Sequence, residues 1–235
     1  MTGALAIFAK TPGLSPVKTR LATAIGVKKA EEFYQHSAKC VEELALDASR
    51  MSEGSLVPYW AVGEQNGHDH PLWMNMNRLW TGRGDLGDRL HHVYATLLQQ
   101  HDHVILIGTD SPQLPVSAVL TAHEHLKRKT GPVIGPADDG GYTLFGGHVP
   151  LPQALWTSVT YSVSTTCADF AKKLKPYGPI LFLEQSYDID ILDDVTKLRN
   201  DEARMIGKAQ KALLAWIEQN VTFRAHPANE YEVVD

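Results

Sequence analysis

The sequence predicts an α/β protein in which a mainly parallel sheet is covered by helices on both faces. Two observations support this prediction. Short apolar runs alternate with amphipathic stretches along the 235 residues, and the polar and glycine-rich motifs follow directly after apolar runs. With 43% hydrophobic residues the chain can bury a full core. We expect one domain over residues 1–222, followed by a polar tail at 223–235.

Seven short apolar runs, each bounded by turn-forming residues, are predicted to be the strands of this sheet. They lie at residues 5–9, 57–62, 78–80, 104–108, 132–135, 142–145 and 180–183. In an open sheet of this kind, ligands bind at the carboxyl ends of the strands. We therefore expect the functional residues to follow these runs.

Helices are predicted where apolar residues recur every three or four positions. Ser164 or Thr165 is suited to cap a helix that continues to residue 174, and Asp190 is suited to cap one that begins near residue 191. The other helices are expected at residues 17–24, 30–48, 86–98, 116–126 and from about 202 to about 218.

Composition argues against several classes of function. A net charge of -5 disfavours general nucleic-acid binding. No apolar run approaches the length of a membrane span, and the N-terminus lacks the features of a secretory signal. Cys40 and Cys167 lie far apart without C-x-x-C spacing, which fits a reduced, cytoplasmic protein. Six of the eleven histidines are spaced two apart, at 68 and 70, 101 and 103, and 123 and 125. This spacing could chelate a metal on a strand, but these residues are predicted to lie in loops or a helix and are interpreted as surface residues.

The loop after the first predicted strand carries the strongest functional signal. It holds three cations, Lys10, Lys18 and Arg20, and the first thirty residues contain no acid. Lys18 and Arg20 fall near the positive N-terminal end of the predicted helix, where anions bind favourably. The loop therefore favours phosphate binding, although its spacing is not that of a Walker A motif and a solvated basic loop is the alternative. Its turn-forming residues are Thr11, Pro12, Gly13, Ser15 and Pro16.

Asp110 follows the predicted strand at 104–108 and precedes Ser111-Pro112. A carboxylate in this position suits a hard divalent cation, whose other ligands would be phosphate oxygens and water. The alternative is that Asp110 only initiates a turn. Asp188 or Asp190 offers a second carboxylate for the same ion, and the alternative for Asp190 is the helix cap described above.

The motif at residues 135–142 contains two adjacent acids and two adjacent glycines. An Asp-Gly pair between apolar runs is typical of a hairpin turn, but a turn does not require Asp138 as well as Asp139, nor both Gly140 and Gly141. Glycines let a ligand approach the backbone, and the acids can bind ribose hydroxyls, a metal or an acceptor nucleophile. We interpret the motif as functional.

A glycine-punctuated loop at residues 82–89 enters a predicted helix and supplies two further cations, Arg83 and Arg89. Backbone N–H groups and arginine side chains at such a position can meet an anion. The alternative is structural, with Asp85 as the helix cap and Arg89 as a surface charge.

Together these motifs resemble the DUF2064 family of GT-A-like proteins, in the nucleotide-diphospho-sugar transferase superfamily. The matching segments are FAKTP and VKTRL in the first loop, GDLGDR at 84–89, GTDSP at 108–112, GPADDGGY at 135–142 and DID at 188–190. The resemblance implies a three-layer α/β/α Rossmann-like sandwich with a mainly parallel mixed sheet, similar to phospholactate and molybdenum-cofactor guanylyltransferases. The chain departs from the family at Ser15-Pro16, where relatives commonly carry Gly-Arg.

The resemblance also implies roles for individual residues. Asp110 would hold the metal at the strand end. The donor phosphates would contact the cations of the first loop, which are Lys10, Lys18 and Arg20. The donor or acceptor pocket would be shaped by the glycine motif, which comprises Asp138, Asp139, Gly140, Gly141 and Tyr142.

We therefore expect a transferase that uses Mg²⁺ or Mn²⁺, a nucleotide or nucleotide-sugar donor and a small-molecule acceptor. Both glycosyl and nucleotidyl transfer fit. Asp110 and Asp190 would carry the metal, Lys18 would neutralise the leaving phosphate and Asp139 would act as a base. The alternative is a nucleotide-binding regulatory module without catalysis.

Overall fold

A computed structural model describes residues 1–223 of the chain and has a seven-stranded sheet at its centre. The strands are β1 (Gly3–Ala9), β2 (Leu56–Val62), β3 (Asn77–Trp80), β4 (His103–Gly108), β5 (Val133–Pro136), β6 (Tyr142–Gly147) and β7 (Leu181–Phe182). They lie in the order β3-β2-β1-β4-β6-β5-β7, and within this sheet β6 alone runs antiparallel to its neighbours. The predicted mainly parallel mixed sheet is confirmed.

Helices cover both faces of the sheet. They are α1 (Thr19–Ile25), α2 (Val27–Met51), α3 (Leu86–Leu98), α4 (Val116–Lys127), α5 (Gln153–Thr157), α6 (Thr166–Leu174), α7 (Leu192–Asn200) and α8 (Lys208–Asn220). Alternate residues of β1 point to opposite faces, so Leu5 and Ile7 pack with α2 and α4, while Ala4 and Ala6 pack with α3, α5 and α6. The predicted three-layer sandwich is confirmed.

A third apolar cluster lies on the outer side of α2. Leu213 and Ile217 of α8 are buried there together with Phe33 of α2, Tyr187 and Ile189. Because Ile189 is anchored in this cluster, the acidic segment on either side of it is held in a fixed position.

Several predicted elements differ from the structure at their ends. The first helix begins at Thr19 rather than at residue 17, because Lys18 adopts a left-handed conformation with φ 47° and ψ 42°. The last helix begins only at Lys208, after a separate turn at Glu202–Arg204 and a break at Gly207. At the start of α7, the side chain of Asp194, not that of Asp190, accepts the N–H groups of residues 190 and 191. The short helix α5 was not predicted.

The predicted domain boundary stays a prediction. Residues 224–235 of the predicted tail lie outside the described residues, whereas Phe223 packs against Arg199 with the guanidinium carbon 4.9 Å from the ring centre. No helix within residues 1–223 has both the length and the apolarity required to cross a bilayer.

Two histidines contradict the interpretation of histidines as surface residues. His103 and His123 are fully buried at the end of the sheet remote from the carboxyl ends of β1 and β4. His103 Nε2 lies 2.9 Å from His123 Nδ1, and His123 Nε2 lies 3.0 Å from Ser55 Oγ. Gly3 makes room for the His103 ring, because a methyl group at residue 3 would overlap it. Burial, with a further contribution from His123, lowers the pKa of His103 to about 4.

This pair predicts acid sensitivity of the fold. His103 stays neutral in the folded protein while its unfolded form is protonated below about pH 6.5, so stability falls as the pH drops from about 6.5 to about 4. The expected contribution is about 3 kcal/mol, and urea unfolding of wild type and His103→Leu at pH 7 and pH 4 measures it. The wild type should lose about 3 kcal/mol more than the variant, with the partly exposed His68→Leu as the control. Equal losses would contradict the prediction.

Candidate active site

A cavity of about 1090 Å³ opens at the carboxyl ends of β1 and β4. These adjacent strands form the switch point of the sheet, because β2 and β3 continue on one side of β1 and the remaining strands lie on the other. Ligands of open α/β folds bind in this crevice, and the volume is sufficient for a nucleotide-sized molecule. The first loop, Asp110 and the glycine motif all contribute to its walls.

The centre of the cavity wall is an ion cluster around Lys18. The Lys18 ammonium lies 2.5 Å from Asp110 Oδ1 and 3.3 Å from Asp190 Oδ1, and it donates to the backbone carbonyl of Ile189. The side chain of Lys18 is only 2% exposed, whereas both carboxylates are almost half exposed to the cavity. The Lys18 nitrogen thus contacts both the end of β4 and the acidic segment at residues 188–190, and it connects them to the first loop.

The backbone explains how Lys18 reaches these acids. Its left-handed conformation is unusual for a residue with a side chain and costs about 1–2 kcal/mol. The carbonyl of Lys18 nevertheless accepts the N–H of Ala22 and so begins α1, while the side chain turns back under the loop. Opposite it, the N–H of Ile189 donates to the carbonyl of Asp110 at 2.9 Å, which aligns the two acidic segments.

The acids of the cluster stabilise the protonated form of Lys18. Burial by itself would lower the pKa of Lys18, but attraction to Asp110, their hydrogen bond and the fields of Asp190 and Asp188 together raise it. Lys18 is therefore an ammonium ion at neutral pH.

Asp188 lies behind this cluster and also faces the cavity. Ser111 Oγ donates to Asp188 Oδ1 at 2.5 Å. Burial raises the pKa of Asp188 to about 6, the hydrogen bond from Ser111 opposes this shift, and the nearby Asp110 adds to it. Asp188 and Asp190 were predicted as alternative partners of Asp110, and the structure brings both acids to the cavity.

The other two cations of the first loop are accessible to a ligand. Lys10 lines the cavity with an exposed side chain, and its backbone is fixed by Tyr34, whose hydroxyl accepts the N–H of Lys10 and donates to its carbonyl. Arg20 is 68% exposed and lies 3.3 Å from Asp190 Oδ2. Neither Tyr34 nor Glu64 was predicted to belong to the site; Glu64 follows β2 and accepts the backbone N–H of Thr11 at 2.7 Å.

The loop at residues 82–89 lies at the rim of the cavity and is held by its own hydrogen bonds. Asp85 caps α3 in a capping box with Asp88, which agrees with the structural alternative. Arg89 is not a free surface charge: it donates to the carbonyls of Gly63 and Gly84 and to Thr81 Oγ1, so it fixes the rim of the cavity. Arg83 lies outside the cavity lining.

Only some residues of the glycine motif at 135–142 line the cavity. The motif forms the β5–β6 turn, with the N–H of Ala137 donating to the carbonyl of Gly141. Asp138 points away from the cavity and pairs with Lys197, and the space beside Gly140 is filled by the backbone of Ser164 rather than left open for a ligand. The members that line the cavity are Asp139, Gly141 and Tyr142.

The charges of the cavity lining fit a divalent cation. Four cations line the cavity, against six acids, Glu64, Asp85, Asp110, Asp139, Asp188 and Asp190. A polyphosphate would therefore meet excess negative charge unless metal ions entered with it. Within residues 1–223 no group of three or more His, Cys, Asp or Glu side chains is placed to hold an ion by itself. Two carboxylates around one ammonium nevertheless match the way Mg²⁺ is held by one or two carboxylates plus phosphate oxygens.

Comparison with known proteins shows a family resemblance over part of the chain. The model of the DUF2064 family, described as an uncharacterized protein conserved in bacteria, matches residues 53–163. The resemblance to DUF2064 is confirmed. The matched region includes β4, Asp110 and the glycine motif, but not the first loop. A search of curated proteins finds no significant match to this chain.

Solved structures share the fold across most of the chain. A protein from Desulfovibrio desulfuricans G20, provisionally named a nucleotide-diphospho-sugar transferase, is 24% identical with a TM-score of 0.76, covering 94% of this chain and 99% of its own. CMP:2-keto-3-deoxy-manno-octonic acid synthetase in complex with CTP is 12% identical with a TM-score of 0.54, covering 87% and 99%. The 4-diphosphocytidyl-2C-methyl-D-erythritol synthase of Anaerococcus prevotii DSM 20548 is 14% identical with a TM-score of 0.53, covering 83% and 95%.

Proposed function

We propose that the protein is a metal-dependent transferase that takes its transferred group from a nucleotide donor and delivers it to a small-molecule acceptor. The observation that carries this proposal is the cluster of Lys18, Asp110 and Asp190 in a large cavity at the switch point of the sheet. Lys10 and Arg20 flank the cluster and remain accessible, so anionic donor groups have cations to bind. The donor set of Asp110 and Asp190 suits Mg²⁺ or Mn²⁺.

In nucleotidyl transfer, an oxygen of the acceptor attacks the α-phosphorus of a nucleoside triphosphate. The new P–O bond forms as the bond from the α-phosphorus to the bridging oxygen breaks, and pyrophosphate leaves with that bonding pair. Lys10, Lys18 and Arg20 neutralise the charge that builds on the leaving group. The divalent cation, when bound at Asp110 and Asp190, supplies further positive charge to the phosphate oxygens. The number of cations in the first loop favours this reaction.

Glycosyl transfer is the second candidate, and the similarity to the Desulfovibrio protein over 94% of the chain favours it. Here the acceptor oxygen attacks the anomeric carbon, the bond from that carbon to the phosphate oxygen breaks, and a nucleoside diphosphate leaves. Asp139 lines the cavity and serves as the base that takes the acceptor proton. One of its oxygens already accepts the N–H of Gly141, which fixes the carboxylate.

Thermal unfolding with a panel of donors tests the proposal. GTP, CTP, ATP, UTP and UDP-glucose are each added with and without Mg²⁺ or Mn²⁺ to wild type and to Asp110→Asn. A donor at a hundred times its Kd should stabilise the wild type by about 2.7 kcal/mol, a rise in melting temperature of roughly 5–10 °C. We expect one donor to give this rise only with metal, and Asp110→Asn to lose it.

The identity of that donor distinguishes the two reactions, because a triphosphate indicates nucleotidyl transfer and a nucleotide sugar indicates glycosyl transfer. Tight binding without turnover on any acceptor would favour the regulatory module, for which the Ser15-Pro16 departure is the sequence signal. A flat response to every donor, with and without metal, would contradict the proposed function.

A further inference from the structure

Lys18 cannot bind its acidic partners and a phosphate at the same time. In the proposed function Lys18 binds the leaving phosphate, but in the structure its ammonium contacts Asp110, Asp190 and the carbonyl of Ile189. An ammonium group has three N–H donors, and three oxygens already surround this one. A phosphate can be bound by Lys18 only after these contacts have been released.

We propose that Lys18 is a built-in counter-ion that takes the position of the divalent cation between the two acids, and that the incoming divalent cation displaces it toward the donor phosphates. This inference rests on the proposed function, since it concerns the same carboxylates. It makes Lys18 a switch between two partners, the acids before binding and the donor phosphates after it.

Electrostatics supports the exchange. Asp110 and Asp190 together carry two negative charges, and the buried Lys18 neutralises one of them. Arg20 approaches Asp190 from a largely exposed position, where solvent screens the pair. A divalent cation in place of the ammonium would neutralise both acids and free the single charge of Lys18 for the polyphosphate. When the divalent cation and the donor bind together, every charge of the cluster keeps a partner of opposite sign. When either binds alone, one group is left without such a partner.

The backbone conformation of Lys18 also supports the proposed exchange of the ammonium for a divalent cation. Lys18 is held in the left-handed region at the first turn of a seven-residue helix, and such strain persists only while surrounding contacts maintain it. The ion cluster supplies those contacts. Gly13 and Leu14 of the preceding loop are exposed, whereas Thr11, close to the end of β1, is held by Glu64. Movement of the Lys18 side chain away from the acids therefore leaves the sheet end of the loop anchored.

Mn²⁺ binding to the metal-stripped full-length protein tests the proposal, with free Mn²⁺ measured by electron paramagnetic resonance. Lys18→Met keeps the length of the side chain and removes the competing charge. We expect it to bind Mn²⁺ alone at least tenfold more tightly than wild type, while the exposed Lys28→Met binds like wild type. In EDTA, Lys18→Met should melt below wild type because two acids lose their counter-ion, and saturating Mn²⁺ should remove this difference. Affinity equal to or weaker than wild type would overturn the proposal.

A second measurement uses the wild type and does not depend on how the variant folds. Acetylation by an amine-reactive ester, followed by mass spectrometry, reports the accessibility of each lysine. Lys18 should be protected in EDTA and should react at saturating Mg²⁺ without nucleotide, while Lys28 reacts in both conditions. Continued protection of Lys18 at saturating Mg²⁺ would overturn the proposal.

The two proposals can fail separately. The Mn²⁺ titration is repeated with each nucleotide of the donor panel. If wild type binds Mn²⁺ with a nucleotide but Lys18→Met gains no affinity for Mn²⁺ alone, the counter-ion role fails and the proposed function stands. If neither protein binds Mn²⁺ under any condition, the metal requirement of the proposed function fails, and the counter-ion role fails with it.

Discussion

Asp110→Asn is expected to lower kcat/KM for transfer about a thousandfold, which corresponds to a loss of about 4 kcal/mol of transition-state stabilisation. Asp110 lies two residues after β4, at the edge of the cavity, and is the nearest acid to the Lys18 ammonium. An amide keeps the size of the side chain but removes the charge that a hard cation requires. The measurement is product formation with the donor identified by the binding panel.

The matched control for this substitution is Asp169→Asn. Asp169 lies on α6 and forms an exposed ion pair with Lys172, three residues along the same helix. Its replacement removes one carboxylate and should leave kcat/KM within about twofold, since isolated exposed pairs contribute little. Thermal unfolding of both variants separates loss of chemistry from loss of folding. Activity of Asp110→Asn within tenfold of wild type would contradict the role of this acid.

The sheet was largely predictable because burial on both faces leaves a clear sequence signal. Strands β1 and β4 are continuous apolar runs, as expected for central parallel strands, and each lies within two residues of its predicted position. Element ends were less predictable. Apolar periodicity extends the first helix back to residue 17, but the conformation of Lys18 is fixed by acids about ninety and one hundred and seventy residues away. No local pattern contains that information.

Part of the cavity lining was predictable, and the pairing of charges within it was not. Motifs at strand ends identified Lys10, Lys18, Arg20, Asp110 and Asp190, and all of them line the cavity. A sequence gives only the sign of each charge, so the cations were assigned to phosphate and the acids to metal. In the structure, Lys18 pairs with Asp110 and Asp190, which lie on distant segments of the chain. The roles of these residues in binding and transfer stay predictions.

The adjacent residues of the β5–β6 turn show a second limit. Asp138 and Asp139 are chemically identical, yet one pairs with Lys197 and the other lines the cavity. Which acid faces inward depends on the geometry of the turn rather than on residue type. The two glycines differ in the same way, because Gly141 lies at the cavity and Gly140 lies against the backbone of Ser164.

Gly140→Ala is therefore expected to destabilise the fold by about 3 kcal/mol, a fall in melting temperature of roughly 6–12 °C. Gly140 has φ 88°, which a residue with a side chain adopts at a cost, and an added methyl group would overlap the carbonyl of Ser164. The carbonyl of Gly140 also accepts the N–H of Cys167 at 2.8 Å, so the turn cannot move away without breaking that bond. Urea unfolding measures the change.

Gly54→Ala separates the two causes of this loss. Gly54 has φ 77° with no atom within 4 Å of the added methyl group and lies far along the chain from the turn, so only the conformational cost of about 1–2 kcal/mol applies. The excess at Gly140 measures its close packing against Ser164, and equal losses in the two variants would contradict that packing. The methyl group at residue 140 would push the segment that ends at Ser164, and Tyr161, Ser162 and Val163 of this segment line the cavity. Gly140→Ala should therefore also weaken donor or acceptor binding, whereas Gly54→Ala should not. A glycine predicted to admit a ligand would then affect binding through the wall it supports.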